Sequence, residues 1–182
     1  MRHKMLRLVK ACDENLRSHG RNFTAVLGPP ASEDEIAEAE RKLGFGLPAT
    51  LRKFLAEFNG IKLSSLASEY DEMLIVSNLR RLVIDSMRAY ELVQDDRKDR
   101  GLSGDAPPCL QCGQYLDGDI MLRIGERRDG HMMTEPVARI RWDLESSWRE
   151  IAESFEDWLI RSLESMAQTA NGFQYFGSIP LW

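Results

Sequence analysis

The chain has 182 residues, of which 43% are hydrophobic and 29% are charged, the balance of an ordinary globular protein with one sizeable core. Its formal net charge of -5 disfavours general nucleic-acid binding, because phosphate contact requires a basic face. Its three cysteines are too few for a disulfide framework, and no stretch has the apolar core of a signal peptide or the length to cross a membrane. We therefore expect a single-domain protein of the reducing cytoplasm.

The first 30 residues are predicted to form a helical extension before the main domain. Leu6, Val9 and Leu16 lie near one side of a helix in the stretch MLRLVKACDENL. The stretch GRNFTAVLGPP then interrupts the helical pattern, and its prolines end any regular element.

The stretch ASEDEIAEAERKLGFGLPATLRKFLAEFNG, residues 31–60, predicts two helices with a tight break between them. Ser32 and Glu35 have the spacing of a capping box, in which each side chain accepts the other residue's backbone N–H. Gly44 is a residue type that ends helices, and Pro48 suits the first turn of the next one. An apolar stripe at helical spacing follows, formed by Leu51, Phe54, Leu55 and Phe58.

The next segment predicts a strand, a third helix and a loop. The run EMLIV is short and apolar, as is typical of a strand. Ser77 can then cap a helix, whose apolar positions at helical spacing are Leu79, Leu82, Val83, Tyr90 and Val93. The polar stretch DDRKDRGLSGDAPP contains glycine and proline and predicts a loop.

Beyond this loop the apolar pattern changes from helical to alternating. CLQCGQYL and DIMLRI flank Asp117-Gly118, a hairpin signal, and VARIRW alternates as well. These runs predict a small antiparallel meander. A last helix is predicted over residues 147–166, with Ile151, Phe155, Trp158, Leu159 and Leu163 on its core side. We expect the apolar tail, residues 166–182, to pack back on the domain.

Residues that could carry chemistry do not form a complete site. Cys109 and Cys112 are spaced as C-x-x-C, but zinc requires four ligands and no second pair exists. A redox pair requires a strand-to-helix context, whereas residues three apart in a strand point to opposite faces. The three histidines are far apart, and no local nucleophile signature accompanies them. We therefore expect no metal, no cofactor and no catalytic residue.

Charge is distributed unevenly along the chain. Residues 1–21 carry six Lys and Arg against two acids, and residues 143–164 carry seven acids against two Arg. Two interpretations stay open, a solvated helix face and a docking surface for a basic partner. For the second interpretation, the candidate partner-binding residues are Asp117, Asp119, Glu150, Glu153 and Asp157. Asp117 and Asp119 also suit a plain polar turn.

The stretch of residues 31–60 resembles the SUKH superfamily, also called the Smi/Knr family after its yeast cell-wall regulators. The matching positions are Ser32, Glu35, Ile36, Glu40, Leu43, Gly44, Leu47, Pro48, Leu51, Phe54, Leu55, Asn59 and Gly60. Gly118-Asp119 followed by IMLRI is similar to the family's central hairpin, and IAESFEDWL is similar to its C-terminal helix.

The resemblance implies an α+β fold over residues 31–165, an antiparallel sheet meander flanked by helices. Bacterial members of the family are commonly immunity proteins that bind and neutralise a toxin, often a nuclease or a deaminase. Eukaryotic members act as interaction modules in signalling. We therefore expect a non-catalytic protein-binding domain with a basic toxin as its partner and no contact with nucleic acid or membrane. The alternatives are a regulatory module with another partner and an enzyme that uses Cys112, Asp117 or His131.

Overall fold

The computed structural model describes residues 1–67, 70–105, 108–115, 118–123, 137–140 and 149–168. The helices in this part of the chain are α1 (Arg2–Ser18), α2 (Glu33–Leu43), α3 (Ala49–Glu57), α4 (Leu79–Asp99) and α5 (Phe155–Gln168). The strands are β1 (Asn22–Leu27), β2 (Ile61–Ala67), β3 (Tyr70–Val76), β4 (Cys109–Tyr115), β5 (Gly118–Arg123), β6 (Val137–Ile140) and β7 (Arg149–Ala152). They form one sheet in the order β1 to β7, with every neighbouring pair antiparallel. The predicted α+β fold with an antiparallel meander is confirmed.

Helix α1 shares its core with the rest of the domain. Its buried side chains are Met5, Val9, Cys12 and Leu16. The Cys12 thiol donates to the Leu163 carbonyl at 3.3 Å, and the Asn15 amide donates to the Met166 carbonyl at 2.9 Å. These bonds tie α1 to α5. Leu6, expected on the buried side, is 41% exposed, because the buried stripe is centred on the other four residues.

The capping box predicted at the start of α2 is confirmed. The Glu35 N–H donates to the Ser32 hydroxyl at 3.2 Å, and the Ser32 N–H donates to the Glu35 carboxylate at 2.8 Å. Gly44 ends the helix in the left-handed conformation, with φ at 79°. Pro48 directly precedes the first residue of α3, and its carbonyl accepts the Arg52 N–H at 2.8 Å.

Strand β1 lies where the sequence predicted only a break. It pairs with β2 from Asn22↔Leu66 to Leu27↔Ile61. The chain then passes close to the segment before β2, since a Cβ on Gly28 would lie 2.1 Å from the Asn59 carbonyl oxygen. Only glycine allows this approach.

Helix α4 begins one residue later and ends later than predicted. Its cap is Asn78 rather than Ser77, and the Asn78 side chain accepts the Arg81 N–H at 2.9 Å. The helix continues to Asp99, so the stretch DDRKD of the predicted loop is helical. Arg97 and Lys98 have good helix propensity, and ion pairs within the helix such as Asp95–Lys98, 3.2 Å apart, stabilise the last turns.

Helix α4 also completes the edge of β4. The β3–β4 ladder ends at Val76↔Gly113, so no described strand lies beside the outer backbone of the residues before Gly113. The Ser86 hydroxyl accepts the Gln111 N–H there at 2.9 Å, and both residues are buried. A helix side chain thus replaces a missing strand partner.

The predicted last helix was placed too early. Residues 149–152 form β7, and α5 begins only at Phe155. Ser154 caps it, since its hydroxyl accepts the Asp157 N–H at 3.1 Å and its carbonyl accepts the Trp158 N–H at 3.0 Å. Ile151, expected on the helix, is half-buried and reaches the core from the strand.

The β4–β5 hairpin is confirmed by the pairing of Tyr115 with Gly118. The predicted strand over residues 137–142 is confirmed for Val137–Ile140. The apolar tail lies outside the described residues from 169 onward, and its packing on the domain stays a prediction.

The larger of the two buried clusters contains a group of aromatic contacts. The Phe54 ring lies 5.2 Å from the Phe155 ring and 6.0 Å from the Phe58 ring, centroid to centroid. The six residues predicted to share a core are all buried in this cluster, namely Leu51, Phe54, Leu55, Phe155, Trp158 and Leu159. Helices α3 and α5 therefore pack together through their aromatic side chains.

Phe54→Ala is expected to lower the free energy of unfolding by about 3–5 kcal/mol, because a fully buried ring leaves a cavity that the close-packed core cannot fill. Chemical denaturation monitored by circular dichroism measures this change. Ile84→Ala is the matched control, since Ile84 is 52% exposed and its loss should change stability by less than about 0.5 kcal/mol. An unchanged midpoint for Phe54→Ala would show that the core assignment is wrong.

The capping box should make stability depend on pH. The backbone and hydroxyl of Ser32 hydrogen-bond the Glu35 carboxylate and lower its pKa below the ordinary value of 4.5. Because the pKa of Glu35 is lower in the folded state, the ionised carboxylate stabilises the fold above pH 4.5. This contribution to the free energy of unfolding is lost as the pH falls through the pKa of the folded state. The stability difference between the protein and Glu35→Gln should therefore be constant near neutrality and shrink in acid. A difference that grows on acidification would contradict this.

Candidate protein-binding surface

The structure places four of the five predicted acids near the end of the sheet that carries β5 to β7. Asp119 lies in β5 and Glu150 in β7. Glu153 lies between β7 and α5, and Asp157 lies in the first turn of α5. Asp117 lies outside the described residues. Glu150 was expected on a helix, and its position in a strand follows from the later start of α5.

The strand register fixes the spacing of Asp119 and Glu150 at the level of the backbone. Asp119 pairs with Ile140 in β6, whereas Glu150 pairs with Ala138, which in turn pairs with Met121. Neighbouring strands lie about 4.8 Å apart and residues rise about 3.4 Å along a strand. The two backbone positions are therefore two strands and two residues apart, about 12 Å in all.

The two acids around the start of α5 differ in their surroundings. Glu153 is exposed and makes no hydrogen bond or ion pair with the described residues. Asp157 is half-buried and pairs with Arg161 at 3.2 Å. An exposed pair of this kind contributes little and exchanges easily for another cation. Both residues lie near the positive end of the α5 dipole, which attracts negative charge.

Four of the five acids of α2 are occupied by the fold, and the fifth, Asp34, is exposed. Glu33 and Glu40 both pair with Arg52 of α3, the second at 3.0 Å. Glu35 belongs to the capping box, and Glu38 pairs with its own helix. Asp34 of α2 and Glu153 before α5 are therefore both exposed carboxylates without a partner among the described residues, and Glu153 is the one that belongs to the predicted set.

Three basic residues of α1 are also balanced by acids. Lys4 pairs with Glu164 of α5 at 3.3 Å, and the remaining pairs lie within α1. They are Lys10–Glu14 at 3.4 Å and Arg17–Asp13 at 2.5 Å. Arg2 lies over the Phe58 ring, 5.0 Å from its centroid. The basic excess in the first 21 residues thus supports packing and helix stability.

The cysteines are buried and separate. Cys109 and Cys112 belong to different buried clusters, in agreement with their expected positions on opposite faces of a strand. Burial raises the pKa of the Cys12 thiol to about 12 and also raises that of Cys112. Across the described ranges, no three His, Cys, Asp and Glu side chains gather closely enough to hold a metal. Since Asp117 and His131 lie outside those ranges, an enzyme that combines them with Cys112 stays a hypothesis.

The sequence did not identify the exposed apolar side chains. Val26 is 57% exposed, Ile84 52% and Met87 50%. For the two residues of α4 a signal was available, because they fall outside the helix's apolar stripe. For Val26 the local sequence gave no signal, since its exposure depends on which strands lie beside β1 in the sheet.

Native-state thiol labelling tests the burial of the cysteines. The folded protein should react very slowly with a disulfide reagent at pH 8, because Cys12 and Cys112 are buried and the high pKa of each disfavours the thiolate. After denaturation all three cysteines should react at once. Rapid labelling of Cys112 in the folded state, located by peptide mass, would contradict its assignment to the core.

No helix in the part of the chain that the structure describes combines the length and the apolar character needed to cross a bilayer. A search of the curated proteins finds no match for the chain. The model of the SMI1 / KNR4 family (SUKH-1) matches residues 30–161, from the loop before α2 into the second turn of α5. This match covers more than half of the sequence and includes the capping box and the core aromatic residues. The chain therefore belongs to the SMI1 / KNR4 family (SUKH-1).

Proposed function

We propose that this chain is an immunity protein that binds a cognate toxin of the nuclease or deaminase type and blocks its active site. Membership of a family whose bacterial members commonly act in this way supports the proposal. The observation that carries it is the exposed Glu153 carboxylate, unpaired among the described residues and placed with other acids where β7 leads into α5. On a chain with a net charge of -5, this surface suits a basic partner.

The chemistry of such a partner explains why carboxylates would serve. Toxins that act on nucleic acids bind phosphate through Lys and Arg, and a carboxylate presented at the same spacing can occupy those sites. Glu153 is free to make such a contact, and Asp157 can exchange Arg161 for a partner's cation. Asp119 and Glu150 extend the acidic set across β5 and β7.

A second candidate function is a regulatory module of the same family with a partner that is not a toxin. The exposed apolar residues of α4, Ile84 and Met87, favour it, since they offer a contact surface of another chemical kind. The two functions predict different partners. Co-expression with the product of a neighbouring toxin gene should restore growth only under the first, and a stable complex with no protection from any toxin would favour the second.

Charge-steered association is the quantitative test of the first function. With the purified toxin, the association rate should approach about 10⁸ M⁻¹s⁻¹ at low salt and fall steeply as salt screens the charges. Neutralising the five acids together should lower this rate and flatten its salt dependence. The variant combines Asp117→Asn, Asp119→Asn, Glu150→Gln, Glu153→Gln and Asp157→Asn.

A control variant should remove the same charge from other exposed positions. Asp34→Asn, Glu91→Gln, Asp95→Asn, Asp99→Asn and Asp105→Asn meet this condition. It should retain most of the rate at a given salt concentration, because none of its carboxylates belongs to the proposed binding surface. If both variants lose the same rate, net charge alone explains the steering and the assigned surface is wrong.

A further inference from the structure

Among the described strands, β1 is an edge of the sheet, and most of its residues are exposed. It pairs only with β2 among the described strands. A strand with one buried face should alternate, yet Phe23 is buried and the next three residues, Thr24, Ala25 and Val26, are all exposed. Val26 is 57% exposed, more than any other large apolar side chain that the structure describes.

The register shows which backbone groups of β1 point away from the sheet. The Gly28 N–H donates to the Gly60 carbonyl at 2.8 Å, one residue beyond the Leu27↔Ile61 pair. In an antiparallel ladder, hydrogen-bonded and non-bonded pairs alternate. Residues 22, 24 and 26 therefore bond to β2, and residues 23, 25 and 27 direct their N–H and C=O groups outward. Within the described part of the chain, no backbone group bonds to these three residues on their outer side.

The composition of β1 leaves this edge unprotected. Edge strands are usually blunted by Lys, by Pro or by a bulge, and the segment NFTAVL contains no charged residue and no proline. Its pairing with β2 is also regular from end to end. Only the following residues, Gly28-Pro29-Pro30, stop the edge from continuing.

We propose that β1 pairs antiparallel with β1 of a second copy of this chain, about a twofold axis at Ala25. The outward-facing residues 23, 25 and 27 are symmetric about Ala25, so both copies can offer the same donors and acceptors. Ala25 then bonds Ala25 of the second copy, and Phe23 bonds Leu27 of the second copy at each end. This register makes six N–H···O bonds, two at the centre and two at each end.

The side chains fit this register as well. Thr24 of each copy lies opposite Val26 of the other, and such β-branched pairs on one face of a sheet attract each other. Each copy has a net charge of -5, so two copies repel in general. Because β1 has no charged side chain, pairing of the two strands places no like charges opposite each other within the strands. This self-complementarity favours a second copy over an extended segment of a charged partner.

The expected dimer is weak, because one strand from each copy makes an interface at the small end of the range for specific complexes. Sedimentation velocity should show a concentration-dependent shift from monomer to dimer between about 10 and 500 μM, a range suited to small, transient interfaces. A single monomeric species throughout this range would overturn the proposal.

Charge substitution tests the register directly. Thr24→Lys with Val26→Lys puts lysines opposite lysines, and Thr24→Glu with Val26→Glu puts glutamates opposite glutamates. Each double variant should be monomeric alone, and an equimolar mixture should form a dimer, because every lysine then faces a glutamate. Ile84→Lys with Met87→Lys adds the same charge at two exposed apolar positions of α4 and should leave the dimer intact. Failure of the mixture to associate would exclude this pairing.

A cross-link gives a second measure. In the proposed register the two Ala25 Cα atoms form a hydrogen-bonded pair, about 5.5 Å apart, within disulfide range. The two Val26 Cα atoms are offset by two residues and lie about 8 Å apart, beyond that range. Mild oxidation should thus link Ala25→Cys and not Val26→Cys, while the buried native cysteines stay unreactive. Equal cross-linking of both variants would show that another interface is in use.

Discussion

The contact between the Phe54 and Phe155 rings joins helix α3 to helix α5, and the rest of the structure depends on it. Phe54 sits on the apolar stripe of α3, directly after the capped helix α2. Phe155 is the first residue of α5, so the contact fixes where that helix starts relative to the core. Helix α1 then packs on α5 through the bonds of Cys12 and Asn15. The position of the acids before and within the first turn of α5 is thus set by core packing together with the Ser154 cap, which accepts the Asp157 N–H.

The same dependence explains why the most regular segment of the sequence carries no chemistry. Between residues 31 and 60, several polar side chains cap helices or hold α2 against α3, as Glu35 and Glu40 do. The Asn59 side chain accepts the Leu79 N–H at 2.7 Å and so helps to cap α4. Groups committed in this way cannot also bind a partner without weakening the fold. Recognition has to come from side chains that the fold leaves unused, such as Glu153.

The features predicted correctly from the sequence are those that depend on interactions between residues close together in the chain. The Ser32–Glu35 box and the Phe54 stripe need only residues three or four apart, and both were found. Strand β1 was missed because its burial does not alternate and only its pairing with β2 defines it as a strand. Strand β7 was missed because the spacing of Ile151 and Phe155 also suits a helix, and only pairing with β6 selects the strand. The surface around Glu150 was placed on the wrong element for that reason.

The two inferred surfaces lie at opposite ends of the sheet. β1 is one edge of the described sheet and β7 is the other, with five strands between them. Pairing through β1 therefore leaves the start of α5, which follows β7, uncovered in both copies. A dimer of this kind would present two acidic surfaces related by the twofold axis, each able to bind a basic partner. Because the surfaces share no residue, loss of dimerisation and loss of partner binding can be measured separately in the same protein.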